Sequence, residues 1–154
     1  MDVIIELPKM DDLKRVNELA VQVHEMHVQW NPDLFKSVKE VFNKENYKTR
    51  IENKELFVAK LKNEVVGFIM FNISEKENPI MKYRKQLSIE AICVDEKCRR
   101  EGNGTALLEY VNKLGKENGC THLYVTVNKE NENAIKVYEK FGFNVKNIAY
   151  IMKL

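Results

Sequence analysis

The residues best placed to do chemistry stand in the run Asp95-Glu96-Lys97-Cys98-Arg99-Arg100-Glu101-Gly102-Asn103-Gly104-Thr105. It follows an apolar stretch ending at Val94 and opens a helical pattern near Gly104. A helix amino terminus presents unpaired amides and a partial positive charge, which together attract an anion. Gly102 and Gly104 leave room for a phosphate to approach the backbone and can take positive φ where the loop needs it. Lys97, Arg99 and Arg100 add local positive charge. By itself Gly-x-Gly serves turn geometry as readily as anion binding. The spacing excludes both G-x-G-x-x-G and G-x-x-x-x-G-K-[ST].

A second candidate is Glu90, in the apolar run Leu87-Ser88-Ile89-Glu90-Ala91-Ile92-Cys93-Val94. Alternation along a strand puts it on one face with Ile92 and Val94, where partial desolvation would improve it as a base. A carboxylate paired with Lys82, Arg84 or Lys85 fits the sequence equally well. The cysteines, Cys93, Cys98 and Cys120, form no C-x-x-C pair and read as reduced thiols. Cys120 could meet His122 on one strand face, but a small buried residue is the plainer reading. His24 and His27 share a helix face; without a third ligand they make no zinc site, and no metal is expected.

Several elements must position these groups. Val3 to Leu7 predicts a strand, ended by Pro8, with Asp11 or Asp12 able to cap a helix. Val16, Leu19, Ala20, Val23, Met26, His27 and Trp30 give that helix an apolar stripe, stopped by Asn31-Pro32. A second helix is predicted over Leu34 to Ile51. The strand Leu56 to Leu61 turns through Lys62-Asn63-Glu64 into Val65 to Ile73. The polar run Ser74 to Gln86, with Pro79, reads as a loop before the Leu87 to Val94 strand. A helix follows from Gly104 to Asn118, with Gly119 at its left-handed cap. The strand Leu123 to Val127, a helix from Glu132 to Phe141 ended by Gly142, and a last strand through Ile148, Tyr150 and Met152 complete the order βααβββαβαβ. This is an α/β (α+β) arrangement, one mixed, mostly antiparallel sheet with helices on both faces.

The 154 residues fit one domain spanning residues 1–154. With 25 Lys plus Arg against 23 Asp plus Glu, the net charge of +2 gives no field that would favour nucleic acid. The amino terminus has no basic n-region, and no stretch approaches membrane-spanning length. The expected location is cytoplasmic, without a membrane partner.

Two segments together carry a family resemblance. Arg99-x-x-Gly102-x-Gly104 resembles the Q/R-x-x-G-x-G/A motif of the GNAT superfamily of N-acetyltransferases, whose loop amides bind the pyrophosphate of coenzyme A. Asn131-Glu132-Asn133-Ala134-Ile135-Lys136-Val137-Tyr138-Glu139-Lys140-Phe141-Gly142-Phe143 is similar to that family's N-x-x-A-x-x-x-Y-x-x-x-G-F segment. The element order agrees along essentially the whole chain. The resemblance implies acetyl-CoA as cosubstrate and an amine acceptor, either a small molecule or a peptide. It implies a cofactor site of Arg99, Arg100, Glu101, Gly102, Asn103, Gly104 and Thr105, with the backbone of Ile92, Cys93 and Val94 pairing with the pantetheine arm. Asn131 would hydrogen-bond that arm and Ala134 would lie beside it. Tyr138 is implied as the acid that protonates the departing thiolate, a plain packing role on its helix being the alternative; Glu90 would draw a proton from the amine through water. Trp30, Phe35 and the Asn31-Pro32 corner fall in the segment that forms the family's acceptor wall. A non-catalytic acyl-CoA-binding regulatory module is the alternative function. Family members often form dimers, sometimes through their last strands, so a possible homodimer is implied, although nothing in residues 144 to 154 demands one.

Overall fold

The computed structural model describes residues 2–154. In chain order the elements are β1 (Ile4–Glu6), a 3₁₀ turn (Met10–Asp12), α1 (Leu13–Trp30), α2 (Lys44–Glu52), β2 (Leu56–Leu61), β3 (Glu64–Asn78) and β4 (Met81–Val94). After a second 3₁₀ turn (Glu96–Cys98) come α3 (Asn103–Glu117), β5 (His122–Val125) and α4 (Glu132–Phe141). Among the described residues the strands form one sheet in the order β1-β2-β3-β4-β5. The first three pairings are antiparallel, and β4 with β5 is parallel.

Each sheet face carries its own core, because alternate side chains of the central strands are apolar in both directions. On one face Val16, Leu19 and Ala20 of α1 and Tyr47 of α2 pack on Val58 and Phe68. On the other, Leu107, Leu108 and Val111 of α3 pack on Ile69, Phe71 and Leu87. The α/β class expected from the sequence is the class observed. Lys62 and Asn63 adopt φ of 50° and 67°, which makes the β2–β3 connection the tight hairpin that their position suggested.

Four expectations are corrected. The predicted helix over residues 34 to 51 shrinks to Lys44–Glu52, started by Asn43, whose side chain accepts from the Asn46 amide at 2.8 Å. The preceding segment is tied to α1 instead: Asn17 Oδ1 accepts from the Val41 and Phe42 amides, and its Nδ2 donates to the Phe42 carbonyl. The polar run from Ser74 is no loop but the outer half of a long hairpin, turning at Pro79-Ile80. Its register puts Glu75 opposite Lys85, a favourable cross-strand pair, and it reads as polar because both faces meet water. The last strand, expected through Ile148, Tyr150 and Met152, does not form among the described residues, and β5 stops at Val125 rather than Val127.

Candidate active site

The sheet opens where β4 and β5 part. They pair only over Gln86 to Ile89 and His122 to Val125. Beyond Ile89, β4 keeps β3 on one side and presents a free backbone edge on the other. The chain after β5 is drawn toward the end of α1, where Asn128 Nδ2 donates to Asn31 Oδ1 at 2.7 Å. A cavity of about 300 Å³ fills the gap, with Glu90 to Cys93 on one wall, Val125 to Asn128, Asn131 and Tyr138 on the other, and His24 and His27 from α1.

Glu90 sits at a β-bulge. Met70 pairs with Ala91 and Phe71 with Ile89, so Glu90 has no partner on β3. The extra residue reverses the facing of everything after it. Ile89 and Ile92 therefore both join the α3 core while Cys93 joins the α1 core. The expectation that Glu90 shares a face with Ile92 and Val94 is thus corrected: alternation fails at the bulge. Its carboxylate meets Arg50 Nη2 at 2.7 Å and accepts from Asn72 Nδ2. Arg50 Nη1 also holds Glu55 at 2.9 Å. The ion-pair partner is therefore on α2 rather than Lys82, Arg84 or Lys85 on Glu90's own strand.

Tyr138 faces the cavity from α4 and is buried, which pushes its hydroxyl up to about 12. It stays protonated at neutral pH, so a proton is available to a group in the cavity. Its ring meets Phe143 edge-on at 5.7 Å. Asn131 caps α4: its Oδ1 accepts from the Ala134 amide at 3.3 Å, which leaves its Nδ2 as the group able to address the cavity. Ala134 is half-buried on the α3-side core and does not line the cavity.

Residues Arg99 to Thr105 form the turn into α3 and lie outside the cavity, as does Val94. Gly102, at φ 83°, occupies the left-handed position that starts the helix, and a Cβ there would meet nothing within 4 Å. The first intrahelical bond runs from Ala106 N to the Gly102 carbonyl at 2.9 Å, and no side chain caps the amides of Asn103, Gly104 and Thr105. They are open to an anion. Glu101, Arg100 and Thr105 are exposed beside them, while Asn103 is buried and donates to the Cys98 carbonyl at 2.9 Å. Arg99 folds back, its Nε donating to the Val94 carbonyl at 3.0 Å. The loop starts at buried Asp95, bonded to Arg15 and to the Lys97 amide. Burial alone would raise this carboxyl; the Lys97 amide and the Arg15 guanidinium outweigh it and hold it below the usual range.

The remaining candidates separate. His24 Nε2 lies 2.7 Å from the Lys36 carbonyl, and His27 meets Trp30 edge-on and Phe35 at a tilt; both line the cavity from α1. Burial, and then the charge of His24, lowers His27 and favours a neutral ring. His122 Nδ1 faces Thr121 Oγ1 at 2.7 Å rather than Cys120. Buried Cys93 donates Sγ–H to the Leu19 carbonyl, and burial pushes its thiol up to about 12, which makes it a poor nucleophile. Among the described residues no three His, Cys, Asp or Glu side chains gather as metal ligands. Arg50, Asn72 and the Val125 to Asn128 wall carry no motif, and the sequence reading missed them.

Comparison with known proteins fits this geometry. The family model described as "Acetyltransferase (GNAT) family" matches residues 15–143. The chain belongs to the GNAT family of acetyltransferases. It is 39% identical over 93 residues to an N-alpha-acetyltransferase of Sulfurisphaera tokodaii, covering 56% of this chain and 54% of that protein. It is 30% identical over 106 residues to N-alpha-acetyltransferase 50 of Danio rerio, covering 68% of this chain and 60% of that protein. The chain thus spans little more than half the length of these relatives. Its fold superposes on a tetramutant of the BH1408 protein from Bacillus halodurans with a TM-score of 0.91 at 25% identity, over 98% of this chain and 99% of that one. No helix of the described residues is long and apolar enough to cross a membrane.

Proposed function

We propose that this GNAT chain moves an acetyl group from acetyl-CoA directly to a primary amine on a small molecule or a peptide. The observation that carries the reading is the parting of β4 and β5. It leaves a free backbone edge at Ala91 to Cys93, faces it with Tyr138, and lies next to the uncapped start of α3.

The residues fit coenzyme A without an added group. The amides of Asn103, Gly104 and Thr105 would take its pyrophosphate, with Arg99 and Arg100 at the mouth. The backbone of Ile92, Cys93 and Val94 would hydrogen-bond the pantetheine arm as a neighbouring strand would, and Asn131 Nδ2 would hold the arm from α4. Acetyl-CoA supplies an acyl group activated as a thioester. Tyr138, kept protonated by burial, gives its proton to the departing sulfur. Glu90, fixed by Arg50 and Asn72 at the bulge, orients the amine and accepts its proton, directly or through water. A buried, high-pKa Cys93 supports direct transfer rather than a thiol-bound intermediate.

The two N-alpha-acetyltransferase relatives favour a peptide α-amine among the candidate acceptors. The deciding experiment is a screen of peptide and small-molecule amines that reads released thiol. Turnover with at least one amine is expected; coenzyme A binding by calorimetry with no thiol release from any amine would favour a non-catalytic acyl-CoA-binding module.

A further inference from the structure

The loop into α3 is held in an unrelaxed shape. Gly102 is left-handed at φ 83°, and so is Arg100 at φ 66°, a conformation unfavourable for a residue with a side chain. Backbone of this kind persists where its surroundings fix it. Here the fixing groups reach back to α1. The Arg15 guanidinium engages all three of its nitrogens: Nε donates to the Val65 carbonyl at 3.1 Å, Nη1 to Glu18 at 3.1 Å, and Nη2 to Asp95. Asp95 is 7% exposed, and its own amide donates to the Val66 carbonyl at 2.8 Å. Arg15 and Asp95 therefore hold two consecutive carbonyls of β3 and each other, a closed ring that joins α1, β3 and the end of β4.

From Asp95 the bonding continues into the loop. Its Oδ1 accepts from the Lys97 amide at 3.2 Å, and its carbonyl accepts from the Cys98 amide at 2.8 Å. The Cys98 carbonyl in turn accepts from Nδ2 of buried Asn103 at 2.9 Å. Asn103 is the first residue of α3 and carries the first of the uncapped amides. An unbroken run of hydrogen bonds thus connects a side chain of α1 to the residue that opens the anion site.

We propose that Arg15 is a positioning residue for coenzyme A: acting through Asp95, it sets the direction of the Asn103 to Thr105 amides without touching the cofactor. That role rests on the acetyltransferase reading of the α3 start. Donors already aimed at a ligand bind it more tightly than donors that must be ordered on binding. Without Arg15, Asp95 is a buried carboxylate short of its cationic partner, a state relieved by turning toward water. Turning releases the Lys97 amide and loosens the 3₁₀ turn on which the Cys98–Asn103 bond depends. Affinity is then lost although every group that meets the pyrophosphate is still present. The Arg15–Glu18 pair lies outside this run, at the surface, where an ion pair contributes little.

Calorimetric titration of the full chain with coenzyme A tests the proposal. Arg15→Ala should weaken binding by about tenfold, within the range for residues that act on a site through others. Arg15→Lys, which keeps a cation beside Asp95, should recover most of that loss, and Glu18→Ala should bind as the parent does. Because Arg15 acts through Asp95, the double variant Arg15→Ala/Asp95→Asn should bind no more weakly than the poorer of its two single variants. Losses that add in the double variant would mean that Arg15 meets the cofactor itself, and would overturn the proposal. So would parental affinity in Arg15→Ala alongside a lowered melting temperature, the result of a purely structural ion pair, and so would a Glu18→Ala loss as large as that of Arg15→Ala. A parent that binds no coenzyme A would overturn the acetyltransferase reading as well, which separates the two failures. If Arg15→Ala does not fold, Arg15→Gln decides by the same measurement.

Discussion

α3 and α4 flank the same sheet face and are settled in opposite ways. α3 buries Asn103, Leu107, Leu108, Val111 and Gly115, with Leu107, Leu108 and Val111 shielded completely from water. α4 buries Tyr138 and leaves the rest of its apolar stripe partly open. One helix is finished by its own chain, while the other carries a candidate reactive group on an element that its own chain covers poorly. Stability and chemistry are thus lodged in different helices, and mutations in the two should separate them.

The largest effect expected is on turnover. Tyr138→Phe should lower turnover by about 10²–10⁴-fold, the range for a lost general acid. Acetyl-CoA affinity and melting temperature should stay close to the parent, because among the described residues no protein group bonds the Tyr138 hydroxyl; a variant with parental turnover would return Tyr138 to a packing role. Leu108→Ala in α3 should do the reverse, costing about 2–5 kcal/mol in denaturant unfolding through the cavity it leaves. A loss well under 1 kcal/mol would mean that α3 is not the finished helix its burial implies.

Asp95→Asn, at the entrance to the α3 loop, should cost about 1–2 kcal/mol at pH 7 by weakening the Arg15 and Lys97 contacts. The folded-state pKa of Asp95 lies below its unfolded value of about 4. Its contribution is therefore complete above pH 4 and is lost as pH falls through the folded value. Parent and variant stabilities should converge in acid, and a constant gap down to pH 2 would assign the loss to packing. The smallest effect belongs to Val137→Ala, about 0.5 kcal/mol or less in dilute protein, where its side chain is already part-exposed. A cost above about 1 kcal/mol would mean that Val137 is packed more tightly than its exposure implies.

Much of the fold was legible because periodicity reports burial. The stripes of α1 and α3 and the apolar runs of β2 and β4 are local consequences of which side chains face a core. The outer hairpin was hidden for the same reason, since Glu75, Lys76, Arg84 and Lys85 line a ribbon whose sides largely meet water. Residues 34 to 43 held no local signal for their actual path, which the distant side chain of Asn17 fixes. At the site, the glycines of the α3 loop were readable as an anion site from their own chemistry, whereas Asn131 and Tyr138 were picked out by the family resemblance. The Arg50–Glu90 pair joins residues forty apart, and nothing in either neighbourhood announces the other.

The bulge at Glu90 also limits how this chain can change over time. The register of β4 does not depend on which side chain stands at position 90, because that residue has no partner on β3. It does depend on a residue being there. Deleting a single residue there would turn the end of β4 inside out, sending Ile92 and Val94 toward α1 and Cys93 toward α3. Divergence at this point of the cleft is therefore restricted to substitution, of the residue at 90 or of its partners Arg50 and Asn72.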